Sequence, residues 1–183
     1  NSVQLFFKSG IGFHSNDARV VLEQDNRAIL PAAYGVDLGS VFKPTRRMFA
    51  NIALWYLSLD QEFVYVGDEA IVEPSGRTQR LGVDVSVRYQ PLKWLFLNVD
   101  FNYAYATAID EAANENHIPL AAEFTSVGGI TVNHPIGIKG GINYRWIGDR
   151  PANEDYSITA KGYFVMDANL SYTWRKWTGG III

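Results

Sequence analysis

Alternation of apolar and polar residues is clearest between positions 81 and 105, where it predicts two strands joined by a tight turn. In the first strand the odd-numbered positions are apolar or aromatic, and the even-numbered positions include Asp84 and Arg88. The second strand repeats the pattern, with Asp100 on its polar side. Because successive side chains of a strand point to opposite faces, each strand has one apolar and one polar face. An apolar face of this kind packs either on a soluble core or against lipid.

The same alternation predicts further strands on both sides of this pair. Long polar segments and short turns connect the strands in strict alternation, with short turns near 43–46, 90–93, 133–137 and 174–177. The third strand is predicted to run on to residue 66, and the charged segment 67–79 to form a hairpin-like loop. The predicted strands cover residues 3–13, 33–42, 47–66, 81–89, 95–106, 124–132, 138–146 and 164–172, and a ninth begins at 179.

The positions of the charged and aromatic residues indicate whether the apolar faces pack on a soluble core or against lipid. Tyr, Trp and Phe gather near the strand ends, and the charged residues within strands avoid the apolar faces. A soluble β-sandwich accounts for the alternation alone. A membrane barrel also accounts for the aromatic girdles, the polar lumen, and the short periplasmic turns and long external loops. The sequence therefore predicts an all-β protein, an antiparallel transmembrane β-barrel. The charged residues on the polar faces are Lys8, Asp37, Asp84, Arg88, Asp100, Lys139, Arg145 and Asp167.

Composition excludes several other classes of protein. The net charge of -3 argues against nucleic acid as a partner, because a nucleic-acid binder usually carries a basic face. The 183 residues include no cysteine, so neither disulfides nor cysteine-based metal sites are expected. No run of about twenty apolar residues is present, which excludes a transmembrane helix. The chain opens almost directly into a strand and ends as another begins, which suggests an internal fragment of a larger protein.

Five segments resemble the TonB-dependent outer-membrane receptor family. The first, Gly-Phe-His-Ser-Asn-Asp-Ala-Arg at 12–19, is similar to a segment found in such receptors at the external end of a barrel strand. The resemblance covers nearly the whole chain, and the order and spacing of the segments are more specific than any one of them. The other four segments lie at residues 53–64, 76–84, 118–121 and 144–150.

The resemblance implies an architecture, a location and partners. It implies a 22-stranded barrel in the bacterial outer membrane, surrounded by lipid and closed by an N-terminal plug domain. A periplasmic TonB-type energy-coupling protein would pull on a short N-terminal box. Residues 1–183 would then be about eight to nine consecutive strands of one barrel domain, with the plug and the terminal strands outside this chain.

The implied function is uptake of a scarce nutrient by energy-coupled, plug-gated transport. A ferric siderophore is the first expectation for the small-molecule or metal-chelate ligand, and other metal complexes, cobalamin or oligosaccharides remain open. The alternative is a passive porin or a small structural outer-membrane barrel, because eight strands can close on themselves.

Two groups of candidate site residues follow. The first comprises possible ligand contacts. The competing interpretation is that the loop residues only anchor their loops and that the tryptophan packs against a plug. The second forms a charged inner wall that faces the plug or the substrate path, or that packs through salt bridges. The possible ligand contacts are His14, Asn16, Asp17, Arg19, Trp55, Asp149 and Arg150, and the inner wall is Asp84, Arg88, Asp100, Arg145 and Asp167.

Neither catalysis nor a bound cofactor is predicted. The three histidines fall at a strand end, in a loop and in a short turn, without the context of a nucleophile elbow. His14 with Asp17 leaves a rim hydrolase as a third hypothesis. Acidic residues in two long loops offer oxygen ligands for calcium or a chelated metal, but such loops are more often solvated, and no metal site is predicted. These loop residues are Asp110, Glu111, Glu115, His117, Asp149, Asn153, Glu154 and Asp155.

Overall fold

A computed structural model describes residues 2–13, 30–66, 71–74 and 76–183. Thirteen strands are formed within these residues. In chain order they are β1 (Ser2–Phe13), β2 (Ala32–Thr45), β3 (Met48–Leu59), β4 (Phe63–Val66), β5 (Ile71–Pro74), β6 (Thr78–Leu92), β7 (Leu95–Ala108), β8 (Phe124–Asn133), β9 (Ile138–Ile147), β10 (Arg150–Pro151), β11 (Thr159–Ala160), β12 (Tyr163–Trp174) and β13 (Trp177–Ile182).

Nine of these strands form a single antiparallel sheet in the order β1-β2-β3-β6-β7-β8-β9-β12-β13. The remaining four form two small hairpins, β4-β5 and β10-β11, within the long connections. The predicted all-β antiparallel class is confirmed, and the sheet is not closed within the described residues. None of the described residues forms a helix long and apolar enough to cross a membrane.

The strand register separates the two faces of the sheet as the alternation predicts. Residues directly opposite each other on antiparallel strands share a face. One row across six strands is wholly apolar or aromatic, whereas the adjacent row contains Asp84, Asn102 and Thr125. The apolar row is Phe7, Leu38, Leu54, Val83, Tyr103 and Phe124.

The described residues leave much of the apolar face uncovered. Leu38 and Leu54, in the middle of this face, are 55% and 52% exposed. Within the described residues no second sheet packs against it. The few buried apolar residues, such as Ala106 and Ile118, instead lie where a long loop folds onto the polar face. This arrangement fits a lipid-facing sheet, because a soluble sandwich buries its apolar faces against each other.

Two short turns differ from the prediction because their prolines lie within strands. The register of β2 against β3 shifts between Phe42 and Thr45, and that of β6 against β7 shifts between Tyr89 and Leu92. The two short turns are present, but they lie at 46–47 and 93–94, so the predicted bounds 43–46 and 90–93 are wrong: β2 and β6 continue through Pro44 and Pro91. A bulge tolerates proline because its residues stand outside the regular hydrogen-bond ladder.

The third strand is also shorter than predicted. β3 ends at Leu59, and the Asp60 amide donates to the Ala32 carbonyl at 3.0 Å. Residues 63–66 then pair with β5 in a separate hairpin. The prediction that the third strand runs on to residue 66 is therefore wrong. The alternation misled it, because the same pattern continues in residues 63–66 after the chain has left the main sheet.

Candidate ligand-binding site

The polar face carries all five residues predicted for the inner wall. Arg88 Nη2 donates to both carboxylate oxygens of Asp100, at 2.8 and 2.7 Å. Asn102 Nδ2 donates to Asp84 Oδ1 at 2.5 Å. Two of the three acidic side chains of the wall are therefore held by a neighbouring strand. The other two members lie further along the sheet: Arg145 opposite Val127 and Val165, and Asp167 opposite Asn143.

Trp55 lies on the same polar face, between Asp37 of β2 and Gly82 of β6. Its indole ring lies so close to Gly82 that a Cβ atom at this position would overlap the ring. The indole Nε1 is buried and has no hydrogen-bond partner among the described residues. A buried donor of this kind costs free energy until it is satisfied. Trp55 Nε1 is therefore a candidate donor to a group outside the described residues.

A partly buried ion pair lies at the long-loop end of the polar face. Arg80 Nη2 donates to the two oxygens of Glu62 at 2.6 and 2.8 Å, and Thr78 Oγ1 donates to the same carboxylate at 2.7 Å. Thr78 is fully buried beneath this pair. Sequence reasoning missed this cluster because Glu62 was assigned to a continuous strand. The one available signal was that Arg80 falls on the polar face at the end of its strand.

A second ion pair joins two long connections. Arg77 donates to Asp110 through Nη2 at 2.6 Å and through its backbone amide at 2.9 Å. The Ile109 amide donates in turn to the Arg77 carbonyl at 2.8 Å. The hydrogen bond from the Arg77 side chain, followed by that from its amide, lowers the pKa of Asp110 below 3.8. The segment before β6 and the segment after β7 are thereby tied together.

The two later long loops are also joined to each other. The His117 amide donates to the Glu154 carbonyl at 3.0 Å, and the Leu120 amide donates to the Pro151 carbonyl at 2.8 Å. Between these bonds Ile118 is only 6% exposed and packs against Ala106 on the polar face. We name residues 109–123 and 148–162 the joined loops. They lie at one end of the polar face.

Three of the seven residues predicted as ligand contacts, Trp55, Asp149 and Arg150, are described by the structure. His14, Asn16, Asp17 and Arg19 lie outside the described residues. Asp149 accepts hydrogen bonds from the Gly162 amide at 2.7 Å and from Lys161 Nζ at 2.8 Å, and these two bonds lower its pKa. It therefore anchors its own loop.

Arg150 differs from its neighbour Asp149. It begins β10 within the joined loops, and its Nη1 is buried without a hydrogen-bond partner among the described residues. Trp55 on the polar face and Arg150 in the joined loops thus each carry a hydrogen-bond donor that has no partner among the described residues. They lie far apart in the sheet order, on β3 and after β9.

Two further aspartates of the long loops, Asp110 and Asp155, are engaged with neighbouring protein groups. Asp110 is paired with Arg77, and Asp155 accepts from the Ser157 amide at 3.0 Å and from its hydroxyl at 2.8 Å. No group of three or more His, Cys, Asp or Glu residues is arranged to hold a metal ion in the part of the chain that the structure describes.

Comparison with known proteins identifies the family. Residues 32–181 match the family model described as "TonB dependent receptor-like, beta-barrel". The chain belongs to this family, as part of its β-barrel. Proteins of this family lie in the outer membrane of Gram-negative bacteria, so the predicted location is confirmed. No curated protein matches the sequence.

Solved structures of similar fold carry names of receptors and transporters. The ferric-catecholate import receptor Fiu of E. coli K12 is 16% identical, with a TM-score of 0.70 over 95% of this chain. The ferric yersiniabactin uptake receptor FyuA of Yersinia pestis is 10% identical, with a TM-score of 0.70 over 93% of this chain. The ferric citrate transporter FecA is 13% identical, with a TM-score of 0.73 over 96%. The chain spans only 27%, 27% and 29% of these three proteins.

Proposed function

We propose that this chain is part of the barrel of an outer-membrane receptor that imports a scarce nutrient by energy-coupled, plug-gated transport. The observation that carries the proposal is the pair of joined loops, which bring Arg150, a half-buried residue with an unpaired Nη1, to one end of a polar wall. A ferric siderophore is the proposed ligand. Support comes from the fold shared with receptors whose names specify ferric catecholate, ferric yersiniabactin and ferric citrate.

Arg150 is the proposed anchor for the ligand. A guanidinium presents several N–H donors in a planar fork, which suits the anionic oxygens of a metal chelate. Arg150 Nη1 has no hydrogen-bond partner in the described chain, so an anion that reaches it would satisfy a donor that the protein leaves unpaired. His14, Asn16, Asp17 and Arg19 remain proposed contacts on the first long loop, and Asp149 remains a proposed contact that also shapes the loop around Arg150.

The polar wall is proposed to face the plug domain. Asp84, Arg88 and Asp100 present charges held in fixed positions by cross-strand bonds, which is suitable for a surface that a second domain must approach and leave. Trp55 lies on the same face, and its indole N–H has no partner among the described residues. In this proposal a periplasmic TonB-type protein moves the plug, through a part of the receptor outside this chain.

Ligand binding is tested with the full-length receptor purified in detergent. Ferric tris-catecholate, ferric citrate, a ferric hydroxamate and a copper complex are titrated separately. We expect one ferric chelate to bind, and Arg150→Gln to weaken it roughly 10- to 100-fold, the loss of a hydrogen bond to a charged group. Arg46→Gln, in a short turn at the opposite end of the sheet, is the control. Binding of none of the ferric chelates would contradict the siderophore assignment.

Energy coupling is tested in cells that express the full receptor. Uptake of the bound chelate is measured with and without a protonophore that collapses the proton gradient across the inner membrane. Energy-coupled transport predicts that uptake stops when the gradient is removed, although binding persists. Uptake that continues unchanged, in proportion to external concentration, would instead support the passive porin.

A further inference from the structure

A groove crosses the apolar face of β9, β12 and β13, on the side opposite to the proposed ligand. Its floor is formed by Gly140 and Ala168, which are small residues between larger neighbours. Leu170 lies opposite Gly140, and Ile142 lies opposite Ala168. The depression has a volume of about 400 Å³ and is lined almost entirely by apolar atoms. This volume falls in the range of about 300–1,000 Å³ that is typical of small-molecule sites.

The groove continues toward the short-turn end of the sheet. A second depression of about 370 Å³ shares Leu170 and Ile181 with the first and passes over Gly179, opposite Tyr172. A Cβ atom on Gly179 would meet nothing within 4 Å. The absence of a side chain at this position therefore leaves the groove open to the turn that joins β12 and β13.

Basic and aromatic residues stand at this end of the groove. Trp174 and Trp177 lie opposite each other at the strand ends and are 58% and 70% exposed. The turn between them consists of Arg175 and Lys176, and the Arg175 guanidinium lies 5.0 Å above the Trp174 ring. None of the short turns that join strands of the main sheet contains an Asp or Glu. The two positive charges of Arg175 and Lys176, with no acidic residue in the turn, therefore lie next to Trp174 and Trp177 at the end of the apolar groove.

We propose that this surface binds one anionic phospholipid of the inner leaflet. Arg175 and Lys176 hold the phosphate, Trp174 and Trp177 lie at the depth of the head group, and an acyl chain lies along the groove over Gly179 and Gly140. Tryptophan is favoured at this depth of a membrane, and basic residues next to a membrane select anionic lipids. The inner leaflet is specified because short barrel turns face the periplasm.

The proposal is tested through the attraction between the basic turn and an anionic head group. The sample is the full-length receptor, purified in detergent and shown to be folded by its mobility in unheated gels. Native mass spectrometry measures binding of phosphatidylglycerol and of phosphatidylcholine of the same acyl chains. We expect one phosphatidylglycerol to bind more tightly than phosphatidylcholine. The Arg175→Gln/Lys176→Gln variant should bind phosphatidylglycerol roughly 30-fold more weakly, from about 1 kcal/mol for each basic residue. The control is Arg46→Gln/Lys93→Gln, in two other short turns.

The groove is tested separately from the head-group site. Ala168→Leu fills its floor and should weaken both phospholipids several-fold, whereas Ala50→Leu adds the same bulk to the apolar face of β3, far from the groove. Three results would overturn the proposal: equal affinity of wild type for the two lipids, unchanged binding by either test variant, or equal losses in the controls. The measurement involves no nutrient, so its outcome is independent of the proposed transport function.

Discussion

Gly82 shows how one absent side chain shapes the polar wall. The Trp55 ring occupies the space above this residue, and a Cβ atom there would also lie 2.6 Å from the Tyr103 carbonyl oxygen. Trp55 lies opposite Gly82 on the next strand, and the missing side chain gives the ring its space.

We expect Gly82→Ala to destabilise the full receptor by about 1–3 kcal/mol, because the added methyl group overpacks a closely filled site. The measurement is urea unfolding of the receptor in lipid bilayers. Gly35→Ala is the matched control, since its Cβ would lie 4.0 Å from the nearest atom, a Leu57 methyl. Equal stability of the two variants would show that the ring moves aside without cost.

The Arg77–Asp110 pair makes one loop connection sensitive to acid. The pKa of Asp110 is lowered below 3.8 in the folded protein, so the unfolded loop binds a proton more readily. The pair therefore contributes its full stability above the unfolded pKa and loses it as the pH falls through the lower, folded value. We expect protection of the Ile109 amide to be constant from neutral pH down to about pH 5 and to fall below pH 3.8.

Hydrogen exchange, corrected for the intrinsic rate at each pH, measures this protection in the full receptor. Asp110→Asn should reduce protection at neutral pH and remove the acid dependence. Asp155→Asn, in the joined loops but without contact to Arg77, serves as the control. A wild-type dependence that survives in Asp110→Asn would assign it to another group.

At the scale of elements, the joined loops depend on one small apolar contact. Ile118 is buried against Ala106, whereas Ile109, in the same loop, is 39% exposed. The backbone bonds between the loops flank this contact. The loops are thus held to the polar face by packing as well as by hydrogen bonds.

We expect Ile118→Ala to release the joined loops locally, with a loss of about 2 kcal/mol or more, since buried isoleucine truncations cost 2–5 kcal/mol. Faster hydrogen exchange at the His117 and Leu120 amides would report the release. Ile109→Ala should leave both amides protected. If the two variants behave alike, the inter-loop hydrogen bonds alone hold the loops.

The strands could be predicted from sequence, and the contacts between loops could not. Period-two alternation is a local property, and it placed Asp84 and Arg88 on the polar face correctly. It gave no warning that the chain bends at Asp60, because alternation resumes in a different hairpin. The Arg77–Asp110 pair joins residues 33 positions apart, and it forms only when the register of β6 and β7 brings their ends together. Burial of Ile118 likewise depends on a loop conformation.

At the scale of the whole molecule, the sheet has its apolar side outward. Many large side chains of the apolar face are exposed, among them Leu38, Leu54 and Leu81, while the joined loops pack against the polar face. Only contact with lipid makes such an arrangement favourable, because exposure of a continuous apolar face to water would promote aggregation. The family, the register and the exposure pattern agree on this orientation.

We expect Leu54→Lys to destabilise the receptor by about 2–4 kcal/mol, the cost of a basic residue at the middle of a lipid-facing strand. Asn51→Lys, on the polar face of the same strand, should cost much less. Urea unfolding in bilayers and the yield of folded receptor in outer membranes measure both variants. A larger penalty for Asn51→Lys would reverse the assignment of the two faces.

The prolines within the two bulges have a consequence for assembly. Sliding one strand past its partner by two positions keeps every side chain on its original side, so the apolar pattern cannot reject that mispairing. A proline disfavours this mispairing when the slide brings it, a residue without an N–H, into a position where the hydrogen-bond ladder requires a donor. Pro44 and Pro91 thus disfavour such a slide in the two hairpins to which they belong.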